Sequence, residues 1–212
     1  MAEILEPRRE AAISRGPRTP LVHPLYVRIT HWVNAVAVLL MIASGWRIYD
    51  ASPLFPFSFP SALMLGDGLA DALLFHLAAM WIFLLNGLIY AILSLATGHI
   101  PRKLLPIKPK AALGELKAAL AGRLRHEDIT RYNALQRLAY LAVLLTGVVT
   151  LGSGLALWKP VQLRELAQVF GGYEGARLVH FFAMAALCAF LIIHVSMALL
   201  VPRTLRAMLL GR

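Results

Sequence analysis

The sequence predicts an all-α integral membrane protein, a bundle of four transmembrane helices with both termini in the cytoplasm. Of its 212 residues, 59% are hydrophobic and 15% are charged, whereas soluble domains average about 45–50% apolar and about 25% charged residues. Four stretches of bilayer length contain no Asp, Glu, Lys or Arg, and most cationic side chains lie on one side of them. A single cysteine excludes a disulfide scaffold and a thiolate zinc site.

The four charge-free stretches can each cross the hydrocarbon core, which takes about 20 apolar residues of helix. They run from Ile29 to Trp46, Ala72 to Pro101, Leu138 to Trp158 and Leu178 to Pro202. With residues at the membrane interface included, we predict spans at about 25–48, 72–98, 134–158 and 177–201. Met1 to Pro20 lacks the apolar core of a secretory signal, so we expect no cleaved signal there.

The charge distribution predicts the orientation of the spans. Three segments are basic: the one before span 1, the one between spans 2 and 3 and the one after span 4. Together they hold 17 of the 21 Lys and Arg but only six of the 11 Asp and Glu. Cytoplasmic loops carry an excess of Lys and Arg, so these segments are expected inside. The net charge of +10 therefore reflects membrane topology and contact with anionic lipid. We expect no binding to nucleic acid.

We predict one domain, residues 22–205, between cytoplasmic tails at 1–21 and 206–212. No internal repeat or low-complexity tract is visible in the sequence.

Three connections join the spans. Residues 50–71 and 159–175 are expected on the outer side, the second with a turn at Gly171–Gly172. Residues 102–131 form the main inner loop, in which Lys108 to Arg125 predicts a basic amphipathic helix at the membrane surface.

Four of the seven histidines lie within or at the edge of the spans, where ionisable residues are costly and usually functional. His180 and His194 are 14 residues apart on span 4, roughly 21 Å along the axis and on nearly the same face. His31 is close to the inner start of span 1, and His76 lies about one turn inside the outer start of span 2. Depth therefore pairs His31 with His194 and His76 with His180.

Two facing imidazoles are the axial ligands that a low-spin b-type haem requires, so the pattern predicts two non-covalent haem b groups. His31 and His194 would ligate the iron of the cytoplasmic-side haem, and His76 and His180 that of the periplasmic-side haem. A pair of other metal sites or a proton relay is the competing interpretation. Tetrahedral zinc takes four ligands, and the spans contain no Asp or Glu for a relay, which favours haem.

Arginines and glycines accompany these histidines. Arg28, Arg47 and Arg177 are candidate partners of the haem propionates, because guanidinium groups bind carboxylates in a bidentate manner; simple snorkelling to the interface would explain them equally well. Glycines in the spans would let a flat macrocycle approach the backbone or would serve plain helix packing: Gly45, Gly87, Gly147, Gly152 and Gly154.

The segment His23 to Ala35, with its Arg-x-x-His-Trp motif ending at Trp32, resembles the first span of bacterial dihaem cytochrome b subunits. The segment Arg177-Leu-Val-His-Phe-Phe, followed by His194-Val-Ser-Met-Ala, is similar to their fourth span. The family is that of prokaryotic cytochrome b561 and nickel-hydrogenase cytochrome b, which includes formate dehydrogenase gamma subunits. Residues 131–140 and 153–160 look most like the branch labelled thiosulfate reductase cytochrome b.

The resemblance implies an electron-transfer membrane subunit of an oxidoreductase, multi-pass in the bacterial inner membrane. It would move electrons between the quinone pool and a periplasmic redox partner, expected to be a molybdopterin oxidoreductase. The resemblance also puts quinone or quinol near the inner haem as substrate, with Asn34 and His99 as candidate contacts.

Two other functions stay open at this point. One is a self-contained quinone oxidoreductase acting on a small oxidant such as superoxide. The other is a transporter or proton channel in which the histidines are structural. Oligomeric state is not readable from composition, so a homo-oligomer stays open as well.

Overall fold

The computed structural model describes residues 23–98, 109–121 and 133–211 of the chain. Seven α-helices lie in these ranges, with one 3-10 turn at Ser61–Leu63. They are α1 Leu25–Ala51, α2 Leu69–Ala96, α3 Pro109–Leu120, α4 Ala134–Trp158, α5 Arg164–Val169, α6 Gly172–Leu200 and α7 Pro202–Leu210. No strand occurs within the described ranges, which confirms the all-α fold class.

Four of these helices, α1, α2, α4 and α6, are long and apolar enough to cross a membrane, as the sequence predicts. Helix α4 has the predicted bounds, whereas α6 begins five residues earlier than predicted, after Gly171 with a positive φ of 83°. Large apolar side chains cover the outside of the bundle: Leu74 is 71% exposed and Ile192 68%. Such a surface requires a lipid environment, so the chain is a multi-pass membrane protein.

The four long helices form two hairpins. Helix α1 packs along α2, and α4 packs along α6. Small side chains line these helix contacts and let the backbones approach closely. The fully or almost fully buried ones are Ala37, Ser44, Ala72, Ala79, Ser94, Ser153, Ala156 and Ala176. Within the described residues, the backbones of the two hairpins approach each other much less closely than the two long helices of each hairpin do.

Side-chain contacts define the two ends of the bundle. At the end where α1 begins and α2 ends, the hydroxyl of Tyr26 lies 3.0 Å from Thr97 Oγ1. At the opposite end, Arg177 at the start of α6 donates to the carbonyl of Ser52 after α1 at 2.8 Å. The loop between α1 and α2 folds back onto α1, because Leu65 N–H donates to the Ala43 carbonyl at 3.1 Å.

The shorter helices cover the ends of the hairpins. Helix α3 lies within the predicted amphipathic segment and reaches α4 through Glu115, whose carboxylate accepts from the N–H groups of Ala134 and Leu135 at 3.2 and 2.8 Å. A carboxylate at a helix N-terminus is favourable for the helix dipole. Helix α7, which the sequence analysis did not predict, begins at Pro202, a residue suited to the first helical position.

Candidate functional site

The four histidines of the spans meet as two pairs between the hairpins. The ring centroids of His31 and His194 are 5.9 Å apart, and those of His76 and His180 are 6.2 Å apart. The interplanar angles are 62° and 66°. We call His31 and His194 the inner pair and His76 and His180 the outer pair, after the predicted orientation. The structure thus brings together the same partners that the depth argument paired.

Each pair takes one histidine from each hairpin. The inner pair joins α1 to α6, and the outer pair joins α2 to α6. The pairs therefore lie in the space where the two hairpins are separated, with one ring of each pair on either side of it.

The outer pair is held by hydrogen bonds from the neighbouring helix of each hairpin. His76 Nδ1 lies 3.1 Å from the Met41 carbonyl and 3.2 Å from Ser44 Oγ, both on α1. His180 Nδ1 lies 3.0 Å from the Thr150 carbonyl and 3.0 Å from Ser153 Oγ, both on α4. Each ring is thus held at one nitrogen by a carbonyl and a serine hydroxyl.

The carbonyls determine which ring nitrogen carries the proton, because a carbonyl oxygen can only accept a hydrogen bond. Ser44 Oγ donates to the Leu40 carbonyl at 2.6 Å, and Ser153 Oγ donates to the Val149 carbonyl at 2.8 Å. With their protons used in this way, the serine oxygens face the imidazoles as acceptors, as the carbonyls do. Nδ1 is therefore the protonated nitrogen, and Nε2 keeps the lone pair that a metal would bind.

Two glycines leave room for the rings of the outer pair. A Cβ on Gly45 would lie 3.3 Å from His76 Cε1, and one on Gly154 would lie 3.0 Å from His180 Cε1. These glycines therefore make space for imidazoles.

The other candidate glycines have different surroundings. A Cβ on Gly147 would meet Phe83, and one on Gly152 would meet Phe170, each at 3.3 Å. A Cβ on Gly87 would meet no described atom within 4 Å apart from its chain neighbours and the nearby backbone of its own helix.

The inner pair has aromatic neighbours in place of hydrogen bonds. Phe190 stacks on His194 with centroids 5.5 Å apart and an interplanar angle of 12°, and Trp32 contacts His31 edge-on at 5.3 Å. Within the described part of the chain, no hydrogen bond reaches either ring of this pair. Among the described residues, none is therefore a hydrogen-bond partner of an imidazole nitrogen of this pair.

The residues of both pairs fit a haem held by two imidazoles. A metal–imidazole bond is about 2 Å long, so two such bonds in line account for about 4 Å of either separation and the ring radii for the rest. In the ranges that the structure describes, no group of three His, Cys, Asp or Glu converges at a common site. Two nitrogens on opposite sides suit an iron whose other ligands come from a macrocycle, and not tetrahedral zinc.

The three candidate arginines all have protein acceptors. Arg28 donates to the carbonyls of Met208 and Leu209 at the end of α7. Arg177 binds Glu174 at 3.1 Å and also Ser52.

Arg47 is the third. Its Nε donates to the Gly66 carbonyl at 3.1 Å, and within the described chain neither of its Nη atoms has a hydrogen bond. Of the three, Arg47 has the largest share of its guanidinium free for an anion.

Of the two candidate quinone contacts, Asn34 lies within the described residues. Asn34 Oδ1 accepts from the Nδ2 of buried Asn86 at 2.7 Å, and the same Nδ2 donates to the Thr30 carbonyl at 2.7 Å. This bond ties α1 to α2 at the level of the inner pair. His99 lies outside the described residues.

An outer aromatic cluster lies at the outer end of the bundle, formed by the end of α1, the loop after it and the start of α6. It consists of Trp46, Tyr49, Phe55, Phe57, Phe59 and Phe181. Phe181, next to His180 in the chain, has its ring centroid 5.1 Å from that of Phe55 and 5.4 Å from that of Tyr49. The run Phe-Pro-Phe-Ser-Phe-Pro at residues 55–60 was the available signal in the sequence.

Comparison with known proteins gives two matches. The family model described as prokaryotic cytochrome b561 matches residues 22–211. A protein of Azospira oryzae, provisionally named protein-methionine-sulfoxide reductase subunit YedZ1, is 50% identical over 190 residues. The alignment covers 90% of this chain and 96% of that relative.

Proposed function

Because the chain belongs to the prokaryotic cytochrome b561 family, we propose that this membrane cytochrome holds two haem b groups, one at each histidine pair. It would pass electrons between the quinone pool and a redox partner at the outer face of a bacterial inner membrane. The observation that carries this proposal is the meeting of four imidazoles as two facing pairs across the space between the hairpins. Haem supplies one-electron transfer when it is bound.

The residues of the chain would hold, orient and shield the two groups. His76 and His180 would present Nε2 from fixed rings, since Nδ1 of each is hydrogen-bonded. The outer aromatic cluster would exclude water from the outer site, which lowers the local dielectric constant. The apolar exterior of the bundle would seal both sites laterally with lipid.

The remaining candidate residues have roles at the edges of these sites. Arg47 would bind a propionate through its two Nη atoms, with Arg28 and Arg177 as weaker candidates because more of their donors already have protein acceptors. Asn34 and His99 would contact the quinone on the inner side.

The partner is proposed from the relative, whose name makes it a subunit of a protein-methionine-sulfoxide reductase. We propose that this chain likewise serves a catalytic subunit at the outer face, a molybdopterin oxidoreductase acting on methionine sulfoxide in proteins. This assignment differs in substrate from the thiosulfate reductase branch to which two segments are similar. Purification from native membranes would test it: a periplasmic reductase should co-purify, and full activity of the lone chain would contradict the proposal.

The haem content tests the core of the proposal. A reduced-minus-oxidised spectrum of the purified protein, with haem quantified per chain, should show two low-spin b haems. One haem per chain would mean that one of the pairs is wrongly assigned. A folded protein without haem would contradict the electron-transfer function and favour structural histidines.

A further inference from the structure

We propose that Ser44 and Ser153 are positioning residues that fix the ring planes of the outer pair and set the redox potential of the haem there. This inference rests on the proposed function, because it assumes that His76 and His180 are axial ligands. Neither serine would touch the haem; each acts through the Nδ1 of its histidine.

The same local arrangement occurs in both hairpins. In each, one helix supplies a carbonyl, a serine three residues later and a glycine four residues later, and the other helix supplies the histidine. The residues are Met41, Ser44, Gly45 and His76 in the first hairpin and Thr150, Ser153, Gly154 and His180 in the second. Two separate helices thus hold their histidines in the same way.

The serine adds what the carbonyl alone does not provide. An imidazole turns about its Cβ–Cγ bond, and this turn moves Nδ1 relative to both of its acceptors. A second acceptor, on a different atom, therefore narrows the range of ring orientations in which Nδ1 keeps its hydrogen bonds. Each serine is itself fixed, because its proton is donated to the carbonyl four residues earlier. Both serines are 0% exposed, so water has no access to replace a lost hydroxyl.

This geometry predicts how the two sites differ. An acceptor at Nδ1 makes an axial imidazole more basic, which stabilises the oxidised metal and lowers the potential. The inner pair has no such acceptor within the described residues. The Nδ1 acceptors should therefore lower the redox potential of the outer haem relative to that of the inner haem. Removing a serine should raise the potential of the outer haem.

The test uses Ser44→Ala, Ser153→Ala and the double variant. Ser94→Ala is the matched control, because Ser94 is also a 0% exposed serine, on α2, and among the described hydrogen bonds none joins it to a histidine. The readouts are the midpoint potential of each haem by redox titration and the low-spin electron paramagnetic resonance signals, which depend on the angle between the ligand planes. The outer signal is the one that His180→Ala lacks.

We expect the outer electron paramagnetic resonance signal to shift and the inner signal to stay unchanged. The midpoint potential of the outer haem should rise in both single variants and most in the double variant. Ser94→Ala should match the unmodified protein. An unchanged outer haem in the double variant, or an equal shift with Ser94→Ala, would overturn the positioning role while leaving the proposed function intact.

A second pair of variants keeps the inference testable if the alanine variants fail to fold. Ser44→Cys and Ser153→Cys keep a comparable volume but replace the hydroxyl oxygen by a weaker acceptor, so we expect shifts smaller than those of alanine. Cysteine variants that shift the outer signal more than alanine would contradict the role. Failure of the proposed function has a different signature, which is absence of haem from the unmodified protein.

Discussion

The outer pair and the inner pair have almost the same ring separation but different surroundings. The outer rings are held at Nδ1, each by one carbonyl and one serine. The inner rings contact Trp32 and Phe190 and have no hydrogen bond among the described residues. The protein thus fixes the outer rings by hydrogen bonds, whereas no hydrogen bond from a described residue holds the inner rings. Two histidine pairs of similar ring separation therefore differ in how firmly the protein holds their rings.

The largest expected effect comes from removing one ligand of either pair. His180→Ala should lose the outer haem and keep the inner one, and His194→Ala should do the reverse, so each variant should hold half the haem of the unmodified protein. Haem quantification and the reduced-minus-oxidised spectrum measure this. Loss of both haems from a folded single variant would show that the pairs are not independent sites.

A smaller effect is expected from Gly154→Ala. The added Cβ would lie 3.0 Å from His180 Cε1, so the ring must shift by a few tenths of an ångström. Overpacking of this kind costs about 1–3 kcal/mol, and we expect a lower occupancy of the outer haem with the inner one unaffected. Haem titration into the purified protein measures this.

Gly87→Ala is the control for that variant, because a Cβ there contacts no described residue beyond its chain neighbours and the nearby backbone of α2. It should leave both occupancies unchanged. Equal behaviour of the two variants would mean that the space at Gly154 does not matter for the outer ring.

The smallest expected effect is that of Asn86→Leu on the inner side. The Asn86 side chain donates to Asn34 and to the Thr30 carbonyl, each at 2.7 Å. Hydrogen bonds between membrane helices contribute about 0.6 kcal/mol on average. We expect a correspondingly small loss of thermal stability in detergent, and a change in the inner haem spectrum with none in the outer.

Thr146→Val serves as its control, because the Thr146 hydroxyl bonds only a carbonyl of its own helix among the described contacts, that of Ala142 at 2.8 Å. It should change neither stability nor spectrum. An outer spectrum that responds to Asn86→Leu would contradict the assignment of this contact to the inner level.

Much of the fold follows from the sequence because a membrane restricts the choices. A helix must satisfy its backbone within the hydrocarbon core, so the charge-free stretch, extended by a few interfacial residues at its start, locates α4 at its observed bounds. The pairing of histidines follows in the same way, because depth is fixed by distance from the span ends. The family assignment, carried by the motifs around His31 and His180, is confirmed by the matching family model.

The contacts that organise the outer site could not be predicted from the sequence. A serine in a membrane helix usually bonds the carbonyl four residues earlier, and Ser44 and Ser153 do so. Their second contact, to a histidine, depends on how α1 meets α2 and α4 meets α6. The binding of Arg28 to the end of α7 likewise depends on a helix that hydropathy did not reveal.

The division of each pair between the two hairpins has a consequence for the making of the protein. The first hairpin is synthesised complete before the second begins, and α6, the last of the four long helices, supplies a histidine to each pair. On the proposed function, neither site is complete until α6 has been made, and haem then links halves whose backbones touch little. Cellular haem supply would therefore control how much of this subunit escapes proteolysis, in the way that a bound ligand stabilises any folded chain.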